Sequence, residues 1–99
     1  MQEATQFKGT TITRQQALQG MEEYDLDYPK NDYCEPPALK PWHENRLYKW
    51  ALVHRGRQYP PKYLASQLTG RAPKHEGLGA GNAIRIFEEL GFEVQRLRP

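Results

Sequence analysis

The stretch Leu47-Tyr-Lys-Trp-Ala-Leu-Val-His-Arg-Gly-Arg-Gln-Tyr-Pro-Pro-Lys62 decides how this chain folds. Its first eight residues alternate. Tyr48, Trp50, Leu52 and His54 fall on one side of an extended chain, and Leu47, Lys49, Ala51 and Val53 on the other. Arg55-Gly56 then reads as a tight turn, and Arg57-Gln58-Tyr59 as a short returning strand, so the segment is a β-hairpin. Pro60 or Pro61 opens a helix, because proline at the first helical position gives up an N–H that has no intrahelical partner anyway. Pro61, Leu64, Ala65 and Leu68 repeat at helical spacing, and Gly70 supplies a left-handed stop after Thr69.

Upstream, Thr13-Arg-Gln-Gln16 has the form of a capping box, in which hydroxyl and amide side chains satisfy free backbone N–H groups. Ile12 and Ala17 hold the staple positions around it. Ala17, Leu18, Met21 and Tyr24 share one helical face, which predicts a first helix over about 14–25. Gly20 costs that helix up to about 1 kcal/mol relative to alanine. Residues 1–12 are polar and read as a flexible start. Tyr28 to Glu44 carries Pro29, Pro36, Pro37 and Pro41, which excludes a regular helix or an interior strand. Its aromatics Tyr28, Tyr33 and Trp42 argue that part of this arm packs.

Downstream, 71–81 reads as a glycine-rich basic loop, and Asn82 as the cap of a third helix. Ala83, Ile84, Phe87 and Leu90 form that helix's stripe, and Gly91 ends it. Phe92-Glu-Val94 closes the chain as a strand. The order is α-β-β-α-α-β: a single α+β domain over 13–99, with three helices against a short three-stranded antiparallel sheet.

The chain has 99 residues and a mean hydropathy of −0.91, so its core is small and leans on aromatic side chains. No apolar run reaches the length of about 18 residues that a membrane span needs. No basic-then-apolar leader stands at the start. Cys34 is the single cysteine, so no intrachain disulfide forms and a reducing cytoplasm is the expected compartment.

Charge is unevenly placed. Residues 1–45 hold four basic and eight acidic groups, whereas 46–99 hold ten basic and four acidic. From Arg46 to His75 there are seven Lys/Arg and no acid. Such asymmetry favours a polyanion partner. Cys34, His43, His54 and His75 lie too far apart for a structural zinc pattern. Asp25-Leu-Asp27-Tyr-Pro29 puts proline where a calcium loop needs a ligand. Ser66 sits within a helix rather than on a glycine-flanked elbow, and the pairs Glu22-Glu23 and Glu88-Glu89 diverge around their helices. No cofactor or catalytic centre is expected. The expectation is a non-catalytic DNA-binding module that touches phosphates with Arg55, Arg57, Lys62, Arg71, Lys74 and Arg85. Gly77-Leu-Gly-Ala-Gly-Asn82, entering a helix, could add backbone N–H groups for a polymer phosphate. The alternative is a protein-interaction adaptor using Tyr33 and Trp42 of the proline-rich arm.

The strings Val53-His-Arg-Gly-Arg-Gln-Tyr-Pro-Pro-Lys62, Gly77-Leu-Gly-Ala-Gly-Asn82 and Leu90-Gly-Phe-Glu-Val94 resemble the N-terminal head domain of McrA-like type IV restriction endonucleases. The resemblance spans about 14–96. It implies a DNA-associated head that accompanies modified-base readers and nucleases in phage defence. Tyr59, Lys62, Gly79, Gly81, Gly91 and Phe92 match its motif positions. Leu78 stands where the motif has an aromatic, and Ala80 splits its glycine pair.

Overall fold

The computed structural model describes residues 2–36, 38–70 and 79–98. Among the described residues, nine short elements follow one another. They are β1 (Ala4–Phe7), β2 (Thr10–Thr13), α1 (Arg14–Asp27), a 3-10 turn (Trp42–Glu44), β3 (Trp50–His54), β4 (Arg57–Tyr59), α2 (Pro61–Thr69), α3 (Ala80–Glu89) and β5 (Glu93–Arg96). The expected α-β-β-α-α-β order is present from α1 to β5, and the three-stranded antiparallel sheet runs β4-β3-β5.

The start of the chain differs from expectation. Residues 1–12 were expected to be flexible, yet β1 and β2 pair antiparallel with Thr5 opposite Ile12 and Phe7 opposite Thr10. Lys8 (φ 48°) and Gly9 (φ 83°) make the two-residue turn, and positive φ at both positions matches the right-handed twist of the strands. Arg55 (φ 53°) and Gly56 (φ 76°) repeat the same device between β3 and β4. Phe7 and Ile12 are buried, and the hairpin is bolted to α3: Thr5 Oγ1 donates to Glu89 Oε1, and Arg85 Nη2 donates to the Gln6 carbonyl. Two apolar side chains and these polar ties are enough to order a strand pair.

α1 begins on the expected capping box. Gln16 N–H donates to Thr13 Oγ1 at 3.1 Å, and Thr13 N–H donates to Gln16 Oε1 at 2.9 Å. α2 opens with Pro61 as its first residue, and its first intrahelical bond runs from Leu64 N–H to the Pro60 carbonyl. Gly70 (φ 69°) ends it in the left-handed region, where glycine carries no steric penalty. α3 starts at Ala80 with Gly79 in the capping position, so Asn82 lies inside the helix rather than at its cap.

Residues opposite one another in an antiparallel pair share a face. Leu52 faces Tyr59 on one side and Val94 on the other. That face joins Ala17, Met21, Tyr24, Leu64, Ile86 and Phe87 in the main core. On the opposite face, Ala51 packs with Trp42 and Tyr48 in a second small cluster. The proline-rich arm folds across this end and is held by Asn31. Its Oδ1 accepts from Tyr24 OH at 2.6 Å and from Trp42 Nε1 at 3.0 Å, and its Nδ2 donates to the Gln58 carbonyl at 2.8 Å. Tyr24, Tyr28, Tyr33, Tyr59 and Tyr63 make a chain of edge-on and tilted ring contacts, closest at 4.2 Å between Tyr33 and Tyr63. Burial pushes the Tyr24, Tyr33 and Tyr59 phenols up to about 12.

Candidate nucleic-acid interface

Of the six cations expected to touch phosphate, four lie among the described residues, and three of those, Arg57, Lys62 and Arg85, are paired with acids. Arg57 turns inward. Its Nε lies 2.7 Å from Asp25 Oδ1, an ion pair off the hydrogen-bond axis, and its Nη2 donates to the Tyr28 carbonyl at 2.9 Å. Asp25 also accepts from Tyr59 OH at 3.0 Å. Arg57 thus fastens β4 to the end of α1.

Lys62 is also engaged. Its Nζ stands 3.5 Å from Glu35 Oε2 and 4.7 Å from the centre of the Tyr48 ring, with 18% of the lysine side chain and 17% of the glutamate exposed. Tyr48 OH donates to Glu35 Oε1 at 2.7 Å. A cation in the first turn of a helix opposes the helix dipole, and an acid there favours it. Glu35, reaching over from the arm, satisfies the lysine, the dipole and the tyrosine together. Burial, reinforced by Glu35, raises the Tyr48 phenol far above its ordinary value.

Arg85 spans one helical turn to Glu89, Nη1 to Oε2 at 2.9 Å. The Thr5 hydroxyl and this guanidinium hold the Glu89 carboxyl below its usual range. Arg71 and Lys74, with Gly77 and Leu78 of the expected phosphate loop, lie outside the described residues. Of the six, Arg55 alone is exposed without a hydrogen bond or ion pair among the described residues. It sits at the tip of the β3–β4 turn, in the left-handed region with φ 53°.

A different cluster of cations occupies the other end of β3. Trp50 and Arg96 are direct cross-strand partners, and the Arg96 guanidinium carbon lies 5.3 Å over the Trp50 ring. Lys49, which precedes Trp50 in the chain, is exposed, and its carbonyl accepts from Leu97 N–H at 2.8 Å. Arg98 folds back, donating from Nη1 to the Tyr48 carbonyl at 2.5 Å and from Nη2 to the His43 carbonyl at 2.8 Å. Arg46 is exposed on the approach to the strand. Residues 46–50 and 96–98 carry four basic groups and no acid of their own; the β3–β5 register sets the two segments side by side, and Glu35 lies against the first of them through Tyr48 OH. Exposed Glu44 is the nearest acid in the chain. Only Lys49 and Arg46 belonged to the acid-free run. Arg96 and Arg98 are some fifty residues away, and nothing in the sequence pairs them without the register.

The aromatic anchors of the adaptor alternative are not at the surface. Trp42 is fully buried, and Tyr33 is half-buried against Tyr63. Among the described residues, no group of three or more His, Cys, Asp or Glu is placed to hold a metal, and no helix is long and apolar enough to cross a membrane. Comparison with known proteins gives no matching family model, no matching curated protein and no matching solved structure.

Proposed function

We propose that this domain is a non-catalytic DNA-associated module that holds its partner through phosphate contacts at the β3–β5 end of the sheet. The observation that carries the reading is the Arg96–Trp50 pair, with exposed Lys49 next to Trp50 in the chain. A guanidinium stacked on an indole keeps its N–H fork directed outward at little entropic cost, and a neighbouring ammonium adds a second phosphate contact. Arg46 extends the patch, and the indole edge offers a base a stacking surface where a strand is unpaired. This places the phosphate contacts at a different edge from the hairpin and α2 cations. The McrA-like resemblance supplies the context, restriction of foreign DNA, in which such a head would accompany a separate reader or nuclease.

Fluorescence anisotropy with a short labelled duplex tests it. Affinity should fall steeply between low and moderate salt, by about 0.9 log unit per log salt for each phosphate engaged. The double change Lys49→Gln with Arg96→Gln should reduce that slope by about 2. No binding to duplex or single-stranded DNA at low salt would sink the proposal. An unchanged slope in the double variant would move the interface elsewhere.

A further inference from the structure

A cleft of about 350 Å³ opens between α1 and the β3–β4 hairpin, at the end of β3 away from the basic patch. Leu18, Met21 and the Tyr59 ring give it an apolar floor. Asp25 and Arg57 close one wall, their charges paired with each other, while Asp25 Oδ2 accepts from Tyr59 OH and Arg57 Nη2 donates to the Tyr28 carbonyl. Two charged groups remain at the rim without hydrogen-bond or ion-pair partners among the described residues: the Glu22 carboxylate on α1 and the Arg55 guanidinium at the hairpin tip. His54 lines the same cleft, its ring fixed edge-on to Phe92 at 5.5 Å. Burial, with Arg55 and Arg14 nearby, lowers its pKa, so at neutral pH its imidazole offers one donor and one acceptor.

An apolar floor between a free acceptor pair and a free cation suits a flat molecule with a donor edge and an anionic tail. Among nucleobases, guanine alone presents two adjacent N–H donors, N1–H and the exocyclic amine, which a carboxylate accepts in parallel. Cytosine, adenine and thymine place a ring or carbonyl acceptor beside each donor, and that acceptor repels a carboxylate. We propose that this cleft binds a guanine nucleotide, with Glu22 reading the base edge, Leu18, Met21 and Tyr59 under the ring, and Arg55 on the phosphate. His54 is placed to donate to the guanine carbonyl. The base could come from a free nucleotide or from an unpaired position in a strand, and the cleft chemistry is the same for both. The inference does not depend on the patch at Lys49 and Arg96.

Methyl and imidazole NMR spectra of the whole chain provide the test, with GMP, AMP, CMP and guanosine as probes, alongside a thymine-only oligonucleotide with and without one internal guanine. GMP should shift the Leu18 and Met21 methyls and the His54 ring saturably, binding at least about tenfold tighter than AMP or CMP, the discrimination expected of one bidentate pair. Glu22→Gln should abolish the preference for guanine. Arg55→Asn, which tolerates the left-handed backbone, should bring GMP down to the affinity of guanosine. A response to the guanine-containing oligonucleotide but not to GMP assigns the site to a strand; the reverse assigns it to a free nucleotide. If neither GMP nor the single guanine moves these resonances, or if all bases bind alike, the inference is overturned. Salt-dependent DNA binding through Lys49 and Arg96 would be untouched by that result.

Discussion

Replacing Asn31 tests what holds the proline-rich arm in place. This residue adopts φ 57°, and its one amide serves three elements: Tyr24 of α1, Trp42 of the arm and the Gln58 carbonyl of β4. Both donors it accepts from are out of water, Tyr24 at 1% and Trp42 at 0% exposure. Deleting the amide leaves two buried donors unpaired, each costing about 1–3 kcal/mol. Asn31→Gly keeps the left-handed backbone without strain, so it isolates the side-chain loss, about 2–6 kcal/mol. Asn31→Ala adds a left-handed penalty of about 1 kcal/mol. Against a total stability of about 5–15 kcal/mol, either change removes a large share. Urea unfolding followed by tryptophan fluorescence and far-ultraviolet circular dichroism measures it. In Asn31→Gly the Trp42 signal should also redden under native conditions, because the arm loosens. A loss below about 1 kcal/mol in the glycine variant, the size of glycine's own backbone entropy cost, would refute the view that this amide secures the arm.

Lys62→Gln should destabilise the fold by about 1–3 kcal/mol, since it strands a mostly buried Glu35 carboxylate, yet leave DNA affinity within about twofold of the parent; a selective loss of DNA affinity in a fully folded variant would return Lys62 to the interface. The Tyr24, Tyr33 and Tyr59 phenols titrate near 12 in the fold but near 10 once unfolded. The folded state therefore binds the extra protons, and stability present below about pH 10 should drain away toward pH 12. Phenolate absorbance and circular dichroism should change together there, and early ionisation of these phenols with the fold intact would contradict the packing. His54 works in the opposite direction. Its folded pKa is depressed, so the unfolded chain binds the extra proton and stability should decline as pH falls below about 6.5. His54→Gln should flatten that slope in thermal melts taken across the range.

Local chemistry was legible wherever a residue type satisfies a neighbouring backbone need. The Thr13–Gln16 box, the proline opening of α2, the left-handed Gly70 and the inward face of Leu52 all belong to this kind. The N-terminal hairpin was not legible, because Lys8-Gly9 is a weaker turn signal than Asn-Gly and only Phe7 and Ile12 mark its buried side. The cations were the hardest. A run free of acids in the chain says nothing about acids brought over it in space, and Asp25, Glu35 and Glu89 neutralise Arg57, Lys62 and Arg85 from other elements or another turn. The Arg96–Trp50 pair depends on strand register, which alternation alone does not specify when the strands lie more than forty residues apart.

The bolting of β1–β2 onto α3 sets a timetable for synthesis. Thr5 and Gln6 find their partners at Glu89 and Arg85, about eighty residues later in the chain. At about 5–20 residues per second, the first hairpin waits roughly 4–16 seconds before the helix that covers it has been made. Through that interval β1, with Phe7, lacks the helix it packs on, although α1 and then α2 can already lie against β2 and Ile12. Closing a loop of about eighty residues costs entropy before the hairpin gains its contacts with α3, which slows folding. The yield of folded chain should therefore depend on translation speed and temperature as well as on the final stability of the domain.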